Sequence, residues 1–273
     1  MPREGGGPRC LWRGSLPGVA ADLGSSAGGW VSTRAGGVSV GPWASLNLGD
    51  HVGDDPHAVA ENRRRLAAAL GVRPVFLRQV HGSGVVRVDA ATPDGIEADA
   101  AWTDARGVAC TVLVADCLPI LFATAAGESV AVAHAGWRGL AGQDGRGVLE
   151  ALAEAWPAVR EPAARAACRV WIGPAIGRAA FEVGDEVRSA FVATAPGDAQ
   201  AFAASPRTPG RWLADLAWLA RARLRRLGFT HVAGHDGSSS WCTAAQPSAF
   251  FSHRRDGVRH GASGRMAACV WRV

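Results

Sequence analysis

Three features of the sequence predict an α+β fold, a single domain of mixed β-sheets flanked by helices. Strand-like and helix-like segments mix without the strict βαβ rhythm of a doubly wound parallel sheet. The longest apolar run, Val108 to Ala126, is interrupted at its centre by Asp116, Cys117 and Pro119, which favours two short buried strands over a membrane helix. No internal repeat or linker divides the 273 residues, and with 48% of them hydrophobic they can bury a substantial core.

The elements follow in chain order. The first thirty residues, rich in Gly, Pro and Ser, read as loosely structured or locally packed, with order beginning at Trp30-Val31-Ser32-Thr33. Pro42 to Gly49 reads as a loop. Asp55 can cap a helix whose first turn holds Pro56, whose pattern runs from Ala58 to Leu70, and which Gly71 stops. Val75 to Val80 is a strand that delivers His81. Val108 to Val114, Ile120 to Phe122 and Ser129 to Ala133 are further strands. Val148 to Trp156 is a helix halted before Pro157, and Val170 to Ile172 a strand leading into Gly173-Pro174. Gly184 to Ala193 and Trp212 to Leu227 read as amphipathic helices. Phe250-Phe251-Ser252 and Ala267 to Trp271 read as closing strands.

The formal charge is +5, and all 29 basic residues are arginine. No helix-turn-helix, zinc-finger or RNA-binding signature accompanies this scattered excess, so nucleic acid is not an expected partner. A cationic pocket for a small anion stays open. The six cysteines lack a C-x-x-C pair and do not form a disulfide framework pattern. Met1 to Arg9 has no apolar core of a signal peptide, and the expected setting is the cytoplasm, off the membrane, with reduced thiols. The oligomeric state is not readable.

Three stretches carry metal-competent side chains: Gln79-Val80-His81-Gly82, Ala115-Asp116-Cys117-Leu118-Pro119 and His134-Ala135-Gly136-Trp137-Arg138-Gly139. Together His81, Cys117 and His134 would make a three-ligand nitrogen/sulfur site with a vacant position, as catalytic zinc sites have. A hairpin turning at Ala126-Gly127 pairs 120–123 with 129–133 and leaves Cys117 and His134 at its open end, about two pairing positions apart. Spacing does not bring His81 to them. Each residue alone has a plainer reading. Cys117 can be a small buried hydrophobe, the histidines satisfied polar groups, Arg138 a solvated charge, and Gly82, Gly136 and Gly139 turn formers. Asp116 can cap a turn or orient a ligand from behind.

The surrounding text resembles one family, the YfiH-like laccase-domain proteins, called multicopper polyphenol oxidases and also described as purine nucleoside phosphorylases. The likeness runs from Ser32 to the C-terminus through STRAGGVSVGPWASLNLGDHVGDDP (32–56), ENR (61–63), RQVHG (78–82), ADAAWTD (98–104), ADCLPILF (115–122), AVAHAGWRG (131–139), IGPAIG (172–177), FEVG (181–184) and FFSHRRDG (250–257). It leaves residues 1–29 as a variable N-terminal segment and 30–273 as the catalytic domain. It implies mixed sheets flanked by helices, similar to the catalytic domain of deamidating toxins, and one zinc on His81, Cys117 and His134. The implied activities are phosphorolysis of adenosine, inosine and methylthioadenosine, and deamination of adenosine, with purine nucleosides and phosphate as partners. A polyphenol-oxidase activity and editing of peptidoglycan precursors are also attached to the family.

An open zinc site suits deamination at C6 of a purine. Phosphorolysis needs an anion cradle, for which Arg34, Arg138, Arg254 and Arg255 are candidates. Asn47 and Gln79 are candidates for hydrogen bonds to sugar or base. Copper oxidation fits poorly, because eight histidines without paired H-x-H motifs cannot furnish several copper centres. Two insertions depart from the family pattern, at Gln143-Asp144-Gly145-Arg146 and near 258–262. A rival reading is a metal-independent hydrolase in which Cys117 attacks an amide with His134 as base. A non-catalytic binding module is a third.

Overall fold

The structure, a computed structural model, describes residues 7–273. The strands in its first half are β1 (Cys10–Arg13), β2 (Leu16–Ala20), β3 (Ala27–Ser32), β4 (Arg73–Arg78), β5 (Val85–Arg87), β6 (Ile96–Glu97), β7 (Ala100–Thr103), β8 (Val108–Val114), β9 (Leu118–Ala123) and β10 (Val130–Ala135). Its second half adds β11 (Arg169–Ile172), β12 (Glu182–Val183), β13 (Phe202–Ala204), β14 (Trp212–Ala214), β15 (His231–Gly234) and β16 (Met266–Arg272). The helices are α1 (Pro56–Leu70), α2 (Trp137–Ala141), α3 (Val148–Ala155), α4 (Pro162–Ala167), α5 (Asp185–Val192), α6 (Leu216–Arg226) and α7 (Val258–His260).

Two large sheets pack face to face. One runs β1-β2-β3-β16-β8-β4-β6, the other β15-β11-β9-β10-β7-β5, and both mix parallel with antiparallel neighbours. A small sheet, β12-β14-β13, stands apart. Between the large sheets lies a core of Val31, Val75, Val112 and Ala268 from one and Leu121, Val130, Val132 and Trp171 from the other. The outer face of the first sheet buries Leu66 and Leu70 of α1. That of the second buries Leu149, Leu219 and Leu224 of α3 and α6. The result is an α+β arrangement of helix, sheet, sheet and helices.

This layering explains the long apolar run. In β8, Val108, Cys110, Val112 and Val114 enter the inter-sheet core, while Ala109 and Leu113 face α1. In β9, Leu118, Ile120 and Phe122 face the helices, and Leu121 and Ala123 the inter-sheet core. Both faces are covered, so period-two strands read as a continuous apolar block. No helix among the described residues is long and apolar enough to cross a membrane. The capped helix is found as expected: Asp55 accepts from the His57 amide at 2.9 Å, and Gly71 takes a left-handed φ of 71°.

Three expectations are corrected. Order does not begin at Trp30: β1 and β2 form a hairpin at the edge of the first sheet, with Leu16 and Val19 fully buried. Glycines of β2 and β3 make room for tryptophans, since a Cβ on Gly18 would stand 2.0 Å from the Trp30 ring and one on Gly28 2.1 Å from Trp271. Residues 212–227 are not one helix. Trp212–Ala214 pairs with β13, and Asp215 then caps α6 by accepting from the Trp218 amide at 2.8 Å. Phe250–Ser252 is buried but joins no sheet, because Ser252 caps a π-helical turn at His253–Gly257 instead. Met1 to Gly6 of the expected loose segment lie outside the described residues.

Candidate metal centre

All three ligand candidates lie at chain reversals on the same end of the two sheets. His81 follows β4, Cys117 occupies the turn that carries the chain from β8 in one sheet to β9 in the other, and His134 closes β10. Strand β10 pairs β9 with Val130 opposite Ala123 and His134 opposite Pro119, so Cys117 lies two positions beyond the partner of His134. The hairpin reasoning is met. His81 joins them through tertiary packing, and the ligand atoms of the three residues lie within 4.8 Å of one another. Cys117 Sγ is 3.8 Å from His81 Nε2, and the two imidazoles meet edge to face with centroids 4.8 Å apart.

A buried carboxylate that sequence reasoning did not single out organises two of the three ligands. Asp99 Oδ1 stands 2.8 Å from His134 Nδ1 and accepts the His81 amide at 3.0 Å, while Oδ2 accepts the amides of Val80 (3.2 Å) and Gly82 (2.7 Å). Its carbonyl also accepts the His134 amide at 2.7 Å. His134 Nδ1 is thereby engaged, which leaves Nε2 for the cluster. The three converging amides hold His81 at a left-handed φ of 60°. Burial opposes the Asp99 charge, but His134 and these amides hold its carboxyl below the ordinary range. The signal was inside ADAAWTD, where Asp99 precedes a strand.

Asp116, at φ 94°, shapes the Cys117 turn. Its carboxylate accepts from Thr243 Oγ1 at 2.5 Å and from the Arg254 amide at 2.7 Å, and so ties that turn to the π-helical turn. Two of the three non-glycine residues with positive φ among those described thus adjoin or belong to the cluster, as strained backbone at functional sites does. Gly136 is required by space rather than by φ: a Cβ there would come within 2.9 Å of both Cys117 Sγ and His81 Cδ2.

Cys117 and His134 charge one another. Burial works against the thiolate, but the His134 charge and hydrogen bond, with those of His81, draw the thiol down to about 6. Burial likewise works against His134, and Cys117 with Asp99 raises it to about 9. The cluster opens on a cavity of about 410 Å³ lined also by His51, Gln79, Leu113, Ala115, Arg138, His253 and Arg265.

The structure brings Gln79 and Arg138 to this cavity and leaves Arg34, Asn47, Arg254 and Arg255 outside its wall. Gln79 spends both ends of its amide on Leu113, donating at 2.9 Å and accepting at 2.7 Å, which prolongs the β4–β8 pairing. Asn47 is fully buried and bonded to Gly49, Asp54 and the Arg265 amide. Arg34 donates to the Ala44 and Pro247 carbonyls, each at 3.0 Å, and its guanidinium lies over Phe251. Arg255 clasps Asp256, Thr243 and Phe250. Arg254 reaches the Ala180 and Glu182 carbonyls. Arg138 stacks over Trp137 at 4.4 Å and stays exposed. Sequence reasoning missed Arg265, His51 and His253 as cavity residues; the two histidines lay inside the motif text at 32–56 and 250–257. Neither insertion reaches the cavity: 143–146 forms a turn bonded across Gln143 and Arg146, and 258–260 forms the exposed α7.

Comparison with known proteins agrees with the fold. Residues 29–273 match the family described as multi-copper polyphenol oxidoreductase laccase. A Pseudomonas aeruginosa protein named purine nucleoside phosphorylase is 48% identical over 88% of this chain and 91% of its own length. An Escherichia coli protein named purine nucleoside phosphorylase YfiH is 45% identical over 89% and 92%. A crystal structure of a Neisseria meningitidis protein superposes with TM-score 0.82 at 41% identity, covering 93% of this chain and 98% of that one.

Proposed function

The chain belongs to the multi-copper polyphenol oxidoreductase laccase family, and from that membership and the geometry of its site we propose that it is a zinc-dependent purine nucleoside enzyme. In this reading it cleaves adenosine, inosine and methylthioadenosine with phosphate, releasing the base and ribose 1-phosphate or its methylthio analogue, and it deaminates adenosine. The observation that carries the reading is the His81–Cys117–His134 cluster opening on a cavity that Arg138 and Arg265 also line, in a chain 48% and 45% identical to relatives named for purine nucleoside phosphorolysis.

Two imidazoles and one thiolate are a donor set suited to zinc, and three protein ligands leave one position open. Zinc held there supplies Lewis acidity beside the substrate. One such cluster among the described residues falls short of the several centres a multicopper oxidase needs, and we assign zinc rather than copper on that ground. We assign phosphate to Arg138, whose guanidinium is exposed at the cavity, with Arg265 as its partner. Arg265 keeps part of its guanidinium committed to the Ser263 and Gly264 carbonyls. An arginine pair meets phosphate oxygens with paired N–H donors. Six free cysteines suit a reducing cytoplasm.

Incubation with adenosine and phosphate, followed by separation of bases, is expected to yield adenine, hypoxanthine and inosine; absence of all three sinks the proposal. A second reading, the metal-independent amidohydrolase, is favoured by the thiol of Cys117, drawn down to about 6 beside His134. Metal analysis separates the two. Stoichiometric zinc that disappears in His81→Ala or Cys117→Ala supports the first, and an active metal-free protein supports the second.

A further inference from the structure

Two histidines outside the cluster, His51 and His253, line the same cavity. Among the described residues only His51 has a carboxylate behind it: its Nδ1 stands 3.3 Å from Asp50 Oδ1. The other oxygen of Asp50 lies 3.2 Å from the Arg63 guanidinium. Arg63 is itself fixed, because its Nε donates to the Leu48 carbonyl at 3.0 Å and its guanidinium lies 4.1 Å over the Phe76 ring. Burial opposes the Asp50 charge, but Arg63 and His51 more than offset it and hold the carboxyl below its ordinary range. An ionised Asp50 favours the proton on Nδ1, so Nε2 is the nitrogen left to trade protons with a substrate. Arginine, carboxylate and imidazole thus run in sequence from α1 to the cavity wall, the arrangement in which a third group orients an acid or base.

The rest of the wall offers no equal donor. The Gln79 amide is closed on Leu113. His81, Cys117 and His134 form the ligand cluster. Arg138 and Arg265 do not give up protons. His253 has no carboxylate partner to orient it among the described residues.

Building on the phosphorolysis reading, we propose that His51 is the general acid that protonates the departing purine, with Asp50 and Arg63 as positioning residues. A phosphate oxygen bonds to C1′ of the ribose, and the C1′–N9 bond breaks with its electron pair entering the purine. The imidazolium of His51 gives its Nε2 proton to N7 of the base, leaving the neutral Nδ1–H ring that Asp50 holds, and the proton the phosphate group releases returns through water to Nε2.

The test compares inosine with 7-methylinosine, whose base departs from an already cationic ring and needs no proton. In the zinc-loaded full chain, His51→Gln is expected to lower kcat for inosine phosphorolysis by about 10²- to 10⁴-fold with zinc content unchanged. The loss is expected to shrink to within a few fold on 7-methylinosine. Asp50→Asn is expected to show the same pattern at smaller amplitude. Equal losses on both nucleosides, a loss of only a few fold on inosine, or the same differential pattern in His253→Gln in place of His51→Gln would overturn the assignment. If the wild-type protein cleaves neither nucleoside, the phosphorolysis reading itself fails, so the two failures are told apart.

Discussion

Asp99 spends one carboxylate on two ligand positions, which makes it the residue on which the centre's geometry depends most. Its Oδ1 takes the His134 ring and the His81 amide, and Oδ2 the amides on either side of His81. Asparagine keeps the shape but places an N–H where either the imidazole or an amide N–H already points. Asp99→Asn is therefore expected to weaken zinc binding by about 10- to 100-fold, the usual cost of losing a partner behind a metal-bound histidine. Competition with a chromophoric chelator measures this directly. An affinity unchanged within twofold would mean that packing alone orients His134. Gly136 makes the complementary point: the approach of Cys117 and His81 exists because no Cβ stands between them.

At the scale of elements, the β9–β10 hairpin places two ligand candidates, and α6 braces the loop that follows. Arg223 of α6 is buried; its Nε pairs with Glu150 of α3 at 3.0 Å, and its other nitrogens donate to the Ala141 and Gly145 carbonyls. It thereby holds the inserted turn at 143–146 against the helices. Removing one partner of a buried pair leaves the other charge uncompensated, so Arg223→Leu is expected to cost about 3–5 kcal/mol of stability. Urea denaturation reads the cost, and Arg223→Leu combined with Glu150→Leu is expected to recover part of it. A cost below about 1 kcal/mol would show that Glu150 finds solvent once Arg223 is gone.

For the whole molecule, the packing of the second sheet's edge sets an acid limit. His235 follows β15, is 1% exposed and lies 5.9 Å from the Trp241 ring. Its Nδ1 accepts the Gly237 amide at 3.1 Å, and Nε2 is buried without a partner. Burial pushes it down from 6.5 to about 4. The folded chain therefore holds His235 neutral while the unfolded chain protonates it. Its contribution is intact above about pH 6.5, falls as pH drops, and is lost by about pH 4. The expected loss is about 3 kcal/mol across that window. Denaturation of the wild type and His235→Gln at pH 7, 5.5 and 4 checks it: the difference between them should shrink as pH falls, and a constant difference would count against it.

Legibility followed the range of the interactions. The Asp55 cap, the Gly71 stop, the β8 and β9 strands and the neighbourhood of Cys117 and His134 all depend on residues close in the chain, where turn position and periodicity decide the outcome. Strand β3, which carries Trp30 over Gly18, is anchored in turn by β16 from the far end of the chain, whose Trp271 covers Gly28, so the N-terminal hairpin read as loose chain. Asn47, Arg34 and Arg255 had the right chemistry for a substrate, but nothing local said that their donors were already spent on carbonyls and side chains elsewhere in the fold.

By itself, then, the sequence determined the mixed α+β class, the strands buried on both faces and two of the three ligand candidates as neighbours. Tertiary structure alone decided that His81 completes the cluster, that Asp99 orients it and that His51 and Arg265 face the same cavity as Arg138. The physical reason is that a hairpin's register is set by its own turn. The meeting of separate loops at one end of two sheets is instead set by how the whole apolar surface packs.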